Sequence, residues 1–430
     1  MRPNHIDTTI NKEDFVEARE AAELLGVKLQ TLYAYTSRGL IESVAGATGR
    51  ARRYSRADIE RLKTRHDARA GHGAVAAGAL RWGEPVLDSA LTAIDERGPH
   101  YRGRGAAALA AEGVSFEAVA ELLWSGQLPE QAPSWPRPVF DPKALGPLLP
   151  GDASPLTTLS LLLPAMAALD AERFAAPREA DITRARLLLT TMGQALAPAA
   201  PKPPPKPAKG APRSKGKGVV GIASTLATAL GHPSPEVAAL VNKALILVAD
   251  HELNVSTFTA RVAASAGADL YACVGAALAA VSGPLHGGAC DRIEAFVGDV
   301  GKPERARASI TERVRRGEAI PGFGHPLYPD GDPRATPLLQ ATEKLAAKNI
   351  PLRTLLAVIK AMEDTDRGRP TIDTALVALA LALGAPTGTA AGLFALGRCA
   401  GWVAHILEQR DSAGLLRPRA RYVGAPPAGA

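Results

Sequence analysis

The apolar residues of this chain are almost all aliphatic, and that narrows the folds open to it. Hydrophobic residues make up 46% of the 430, but aromatics only 4%. A core of that size must then be built from Ala, Leu and Val, and Ala and Leu are strong helix formers, so the chain is expected to be mainly α. Its length exceeds a typical single domain, so two unequal parts or one large one are expected. The three cysteines, Cys273, Cys290 and Cys399, lie far apart, without metal-ligand or disulfide spacing; a reducing cytoplasm fits that usage. The opening MRPNHIDTTINKEDF has no apolar run after its charges, so no signal peptide is read there. Apolar stretches such as 374–384 are too short to cross a bilayer, and no membrane association is expected.

The net charge of +7 is unevenly spread. Residues 1–70 hold thirteen basic and ten acidic side chains, and 198–218 hold six basic and none acidic. The rest therefore carries a slight negative excess, which argues against nucleic-acid binding along the whole length. Residues 16–26 show helical spacing ended by Gly26, and a second short helix is expected over 29–37. Leu40 and Ile41 then suit a strand, GATGRARRY a turn and basic return strand, and DIERLKTRHDAR a further helix. Helix, tight turn, helix and basic wing is the order of a winged helix-turn-helix. The boundaries read as 1–70 for this module, 71–81 for a small-residue linker and 82–430 for a catalytic region. Within that region 198–218, PAAPKPPPKPAKGAPRSKGKG, is a Pro/Lys-rich insertion too polar to pack, expected to be disordered.

The runs AAELLGVKLQTLYAYTSRGLI and RRYSRADIERL resemble MerR-like and excisionase-like DNA-binding modules. The resemblance implies that Gln30, Thr31, Tyr33 and Tyr35 face DNA, with Arg50, Arg52, Arg53 and Tyr54 on the wing. Arginine there suits phosphate. Modules of this kind also bind proteins, and both readings fit the sequence.

Three of the nine histidines have unusual surroundings: His251 in HELNVSTF, His286 in GPLHGG and His325 in PGFGHPLY. Flanking glycine and proline let backbone approach a ligand and fix a side chain's angle. Arg334 in GDPRA, Asp373 in RPTIDTAL, Arg398 in FALGRCAGW and Arg417 in LLRPRARY follow. Arginines around histidines and a carboxylate suit a polyanionic acid, because guanidinium grips carboxylate bidentately. Asp373 alone reads equally as a helix N-cap, and Arg398 and Arg417 as surface ion pairs. His405 reads as an ordinary helix histidine, Cys290 as packing.

Taken together and in order, HELNVSTFTAR, GPLHGG, GFGH with DPRA beyond it, the proline-bounded Asp373 and the two late arginine motifs resemble the citrate synthase family. The resemblance is strong over about 220–424, weaker over 82–129 and slight over 130–197. It implies large and small helical domains, a homodimer, and a citrate synthase-type acyltransferase that condenses acetyl-CoA with oxaloacetate. Asp373 would be the base, His286 the partner of the thioester oxygen and His325 the group polarising the ketone. His251, Arg334, Arg398 and Arg417 would hold oxaloacetate. No cofactor or metal is implied, since the CoA thioester is a substrate. Pro329 stands where many members carry a basic residue, Thr371 replaces a usual asparagine, and Thr374 an aromatic or histidine. These departures bear on the acyl group, so a 2-methylcitrate synthase using propionyl-CoA is the alternative. A metabolite-sensing, DNA-binding regulator built on the same fold is another.

Overall fold

The computed structural model describes residues 15–25, 27–37, 40–45, 52–56, 58–59, 87–138, 140–174, 177–196, 221–345, 349–412, 414–418, 420 and 424. The linker at 71–81, the insertion at 198–218, Arg50 and most of the helix expected after the wing lie outside them. The chain divides into two units, residues 1–88 with 417–430, and residues 89–416.

The first unit is small. Strand β1 (Phe15–Glu17) leads into helices α1 (Ala18–Leu25) and α2 (Leu29–Ser37), followed by β2 (Ser43–Ala45) and β3 (Arg52–Ser55). The antiparallel sheet runs β1-β3-β2, with Val16 opposite Tyr54 and Val44 opposite Arg53. Both expected helices are present. The strand begins at Ser43 rather than Leu40, because Leu40 closes the turn after α2, its N–H donating to Tyr35 O. Val16, Ala21, Ala22, Leu25, Leu32, Ile41, Tyr54 and Ile59 form its core.

The second unit is helical except for one small antiparallel sheet, β4 (Thr92–Asp95), β5 (Gly98–Tyr101) and β6 (Arg104–Gly105). Its helices are α3 (Ala106–Ala111), α4 (Phe116–Ser125), α5 (Pro155–Leu169), α6 (Arg178–Ala195), α7 (Ile222–Ala229), α8 (Pro235–Leu247), α9 (Val255–Ser265), α10 (Leu270–Val281), α11 (Ala289–Val300) and α12 (Ala306–Arg315). Then come α13 (Ala335–Glu343), α14 (Ile350–Asp364), α15 (Ile372–Ala382) and α16 (Thr389–Asp411). Many starts are written in the sequence. Ser115, Ser154, Ser234, Asn254, Asp269 and Asn349 each accept a first-turn N–H, and Pro155, Pro235 and Pro351 follow three of them.

Helix α16 is the centre. It is long and apolar enough to cross a membrane, but its apolar stretch is buried inside the protein. Its small residues permit close approach. A Cβ at Gly401 would sit 2.3 Å from Asp250 Oδ1 and 2.5 Å from Ala249 O, and the Gly401 N–H donates to that same Ala249 O. The main core gathers around this helix, with Trp124 and Trp402 as its largest members. A smaller core of Phe296, Val300, Ala306, Ile310, Ile320, Val358 and Met362 joins α11, α12 and α14. His251, His286 and His325 lie in loops between helices.

Candidate active site

His251 follows the end of α8, in a turn whose next residue, Glu252, has φ of 54°. A non-glycine residue there is strained, a cost of order 1–3 kcal/mol that surrounding structure must impose. Asn254 then caps α9, and Ser256 lies in its first turn. The ring of His251 is buried, with Nε2 2.8 Å from the Tyr328 hydroxyl and its centroid 5.5 Å from that of His325. Burial, Arg334 and Arg398 hold its pKa well below the usual histidine value.

His286 sits in a tight turn between α10 and α11 where Gly283 O accepts the N–H groups of both His286 and Gly288. Gly287 is required there, since a Cβ would lie 2.3 Å from Val281 Cγ1. Nε2 of His286 is 2.9 Å from Ser256 Oγ, which also receives the Trp402 indole N–H at 3.1 Å and donates to Asn254 Oδ1 at 2.7 Å. Nδ1 has no partner among the described residues. Phe394 meets the ring edge-on at 5.8 Å, and the Arg398 guanidinium carbon stands 4.7 Å from the centroid of the Phe394 ring. Burial, with Arg398 second, pushes the pKa of His286 down to about 4.

His325 and Asp373 are tied to each other's segments. Thr371 N–H and Thr374 Oγ1 both donate to Gly322 O, and Gly324 N–H donates to Arg369 O. Asp332 makes a second tie: its carboxylate accepts Nε and Nη2 of Arg334 at 2.9 and 2.8 Å, and the N–H of Ile372 at 2.9 Å. Burial opposes its charge, but Arg334 and these bonds outweigh that and hold its carboxyl below the usual range. Nδ1 of His325 accepts the Leu327 N–H at 3.1 Å, so the neutral ring carries its proton on Nε2. Burial and Arg334 lower its pKa as well.

Thr371 occupies the N-cap of α15 and Asp373 lies inside the first turn, so Asp373 is not the cap. Its carboxylate accepts the Thr371 hydroxyl at 3.2 Å and the Cys290 thiol at 3.7 Å. Burial raises its pKa, against the pull of Arg334. A carboxylate raised in this way is a better base than an exposed one. Arg398 is 2% exposed, which removes the surface-pair reading. Its Nε donates to Val248 O at 2.7 Å, and both Nη groups lack partners among the described residues. Burial pushes its pKa down to about 10, so it is still a cation at neutral pH.

Thus His251, His286, His325, Arg334, Asp373 and Arg398 come together. Arg417 is exposed and belongs to the other unit. On the first unit Gln30 and Tyr33 are exposed, Thr31 and Tyr35 half-buried and Arg52 exposed. Two wing assignments need correction. Tyr54 is 3% exposed because β3 turns it into the core, and Arg53 donates to Phe15 O across the sheet. Ser256, Tyr328, Asp332 and Trp402 lie inside the motifs HELNVSTF, PGFGHPLY, GDPRA and FALGRCAGW, but sequence reasoning gave them no role. His405, taken as ordinary, is fully buried with Nε2 3.2 Å from Asp250 Oδ2 and Nδ1 facing Arg261. Among the described residues no group of three or more His, Cys, Asp or Glu side chains is placed to hold a metal. A surface groove of about 690 Å³ lined by Trp135 and Arg186 shares no residue with this cluster.

Fold and site define a helical protein with an acid–base centre bordered by buried cations. Residues 79–419 match the family model for the citrate synthase C-terminal domain, and 15–67 that of a helix-turn-helix domain. A citrate synthase from Mycolicibacterium smegmatis is 30% identical over 76% of this chain and 89% of its own length. Citrate synthase 2 of Bacillus subtilis (38%) and a 2-methylcitrate synthase of Shewanella oneidensis (37%) align over 45% and 44% of this chain, and over only about half of their own lengths, 52% and 51%. The Thermoplasma acidophilum citrate synthase, solved with carboxymethyl coenzyme A and oxaloacetate, superposes with a TM-score of 0.67 at 27% identity, covering 80% of this chain and 94% of that one. The chain belongs to the citrate synthase family, with a helix-turn-helix domain ahead of the family region.

The lowered pKa of His286 makes a stability prediction. Above about pH 6.5, the ordinary histidine value, the ring is neutral in folded and unfolded chains alike. As pH falls the unfolded chain takes up the proton first, so stability is lost progressively between about 6.5 and about 4. The loss is on the order of 3 kcal/mol, at about 1.36 kcal/mol per pH unit. Urea unfolding across that window should show wild type losing more stability than His286→Gln; parallel profiles would remove the buried neutral imidazole from the account.

Proposed function

We propose that the chain catalyses a citrate synthase-type condensation of acetyl-CoA with oxaloacetate, followed by hydrolysis to citrate and CoA. One observation carries this reading: Arg398 keeps a buried charge whose Nη groups have no partner among the described residues, beside the charge of Arg334. Burying a cation costs several kcal/mol unless an anion meets it. A dicarboxylate bordered by Arg398, Arg334 and His251 answers that need and is held in one orientation.

In this reading Asp373 takes a proton from the carbon beside the thioester. For the reaction the Ser256 hydroxyl turns from Asn254 to donate to His286 Nε2, so that the neutral ring carries its proton on Nδ1 and donates it to the thioester oxygen, stabilising the enol. The enol carbon then attacks the ketone of oxaloacetate, whose oxygen lies against Nε2–H of His325 and takes that proton as the C–C bond forms. Positioned proton transfer is worth about 10²–10⁴ in rate, and stabilising the developing oxyanion at least as much. Water then cleaves the thioester and releases CoA. Arg417 joins from a second copy in a homodimer. Three buried free thiols suit a reducing cytoplasm.

Propionyl-CoA fits the same chemistry, and the Shewanella relative bears the name 2-methylcitrate synthase. For Asp373→Ala the expected result is loss of CoA release by at least about 10²-fold, while oxaloacetate still raises the melting temperature. Turnover near that of wild type would sink the assignment of the base.

The helix-turn-helix domain binds DNA in this reading, through α2 and the wing. Gln30, Tyr33 and Arg52 are the exposed groups that favour it. Replacing Arg52 with Ala should weaken binding to duplex DNA and reduce the slope of log K against log salt by about 1. An unchanged slope would take the wing out of the interface.

A further inference from the structure

Tyr328 closes the motif that carries His325 without a role of its own there, yet it touches three of the residues the motifs single out. It lies three residues beyond His325, its N–H donating to His325 O at 2.9 Å to close the turn. Although only 4% exposed, it keeps a polar contact: its hydroxyl is 2.8 Å from His251 Nε2. Its ring centroid is 4.9 Å from the His325 ring at an interplanar angle of 32°, and the Arg334 guanidinium carbon stands 5.5 Å over the same ring.

We infer that Tyr328 is a positioning residue that sets two histidines by two separate means, His251 through its hydroxyl and His325 through its ring. The inference rests on the reading of the site as an oxaloacetate-binding condensing centre. His251 is held neutral, so it has one proton and two ring nitrogens. With Nε2 engaged by the phenol, Nδ1 is the ring atom left for a ligand, and the hydroxyl fixes how the imidazole is turned. Burial pushes the phenol up to about 12, so it stays protonated and hydrogen-bonding throughout the working range. The ring acts on a different step. His325 has its Nδ1 tied to the Leu327 N–H, and the face of Tyr328 limits the remaining rotation, so that Nε2–H points consistently. Hydroxyl and ring therefore serve different kinetic constants: the first the grip on oxaloacetate, the second the rate of carbon–carbon bond formation.

Two substitutions separate these contributions. Tyr328→Phe deletes the hydroxyl and keeps the ring; Tyr328→Leu deletes both. With full-length protein, Tyr328→Phe should raise KM for oxaloacetate about tenfold, the size of one lost hydrogen bond to a ligand-holding group. Its kcat should stay within about twofold, and Tyr328→Leu should lose at least about tenfold in kcat as well. Calorimetric titration with oxaloacetate should show the same weakening for Tyr328→Phe without any turnover. If Tyr328→Leu does not fold, Tyr328→Met, which keeps volume without an aromatic face, takes its place. An unchanged KM and oxaloacetate affinity in Tyr328→Phe would overturn the inference. So would equal losses of kcat in Phe and Leu variants, the mark of a packing defect. Wild-type protein that releases no CoA with oxaloacetate would instead overturn the reading of the site, and this inference with it.

Discussion

The charge on Arg398 is the constraint around which this molecule is organised. It sits in the middle of a helix whose apolar stretch is buried, where a guanidinium loses nearly all of its hydration. Val248 O takes one N–H, the Phe394 face lies 4.7 Å below, and the Asp250 carboxylate is close enough to favour the charged form. Arg334 nearby works the other way. Such a charge persists only where the geometry is fixed, and the glycine at 401 supplies the fixing by letting α16 meet the 248–250 segment backbone to backbone. The same approach brings Trp402 to Ser256, and through it His286. One helix therefore carries the cation, its aromatic support and the anchor of an imidazole on the facing loop.

Asp332 plays the matching part on the other side. A single carboxylate holds the Arg334 guanidinium and the first N–H of α15, and so links the loop of His325 to the helix of Asp373. With Gly322 O receiving both Thr371 and Thr374, the segments of Asp373 and His325 are held to each other. Electrostatics then divides the labour. Burial and the two arginines keep three histidines neutral, able to donate or accept without carrying charge, and burial makes the Asp373 carboxylate more basic. Groups of one chemical type are thus tuned by position rather than by identity.

How far this could be read from the chain depends on where each contact lies along it. The helical class followed from an Ala- and Leu-rich core, and caps such as Ser154-Pro155 and Ser234-Pro235 are local signals that any chain would display. His286, His325 and Asp373 were visible because glycine and proline beside them mark turns, and a turn is a short-range property. Ser256, Tyr328, Trp402 and His405 were not, because their partners lie far away in sequence: Trp402 meets a residue 146 positions earlier, and His405 one 155 earlier. The small sheet over 92–105 was equally hidden, its strands being four residues or fewer. Tyr54 shows the opposite failure. Its neighbours made it read as wing surface, whereas strand alternation placed it inward.

The most direct test of the account is CoA release by wild-type protein given acetyl-CoA or propionyl-CoA, each with and without oxaloacetate. The account predicts release with at least one of the two thioesters, and only when oxaloacetate is present, because the buried guanidiniums must be met by the dicarboxylate before the thioester can react. Folded protein that binds oxaloacetate yet releases no CoA from either thioester would contradict it, and would leave the site as a dicarboxylate sensor attached to a helix-turn-helix.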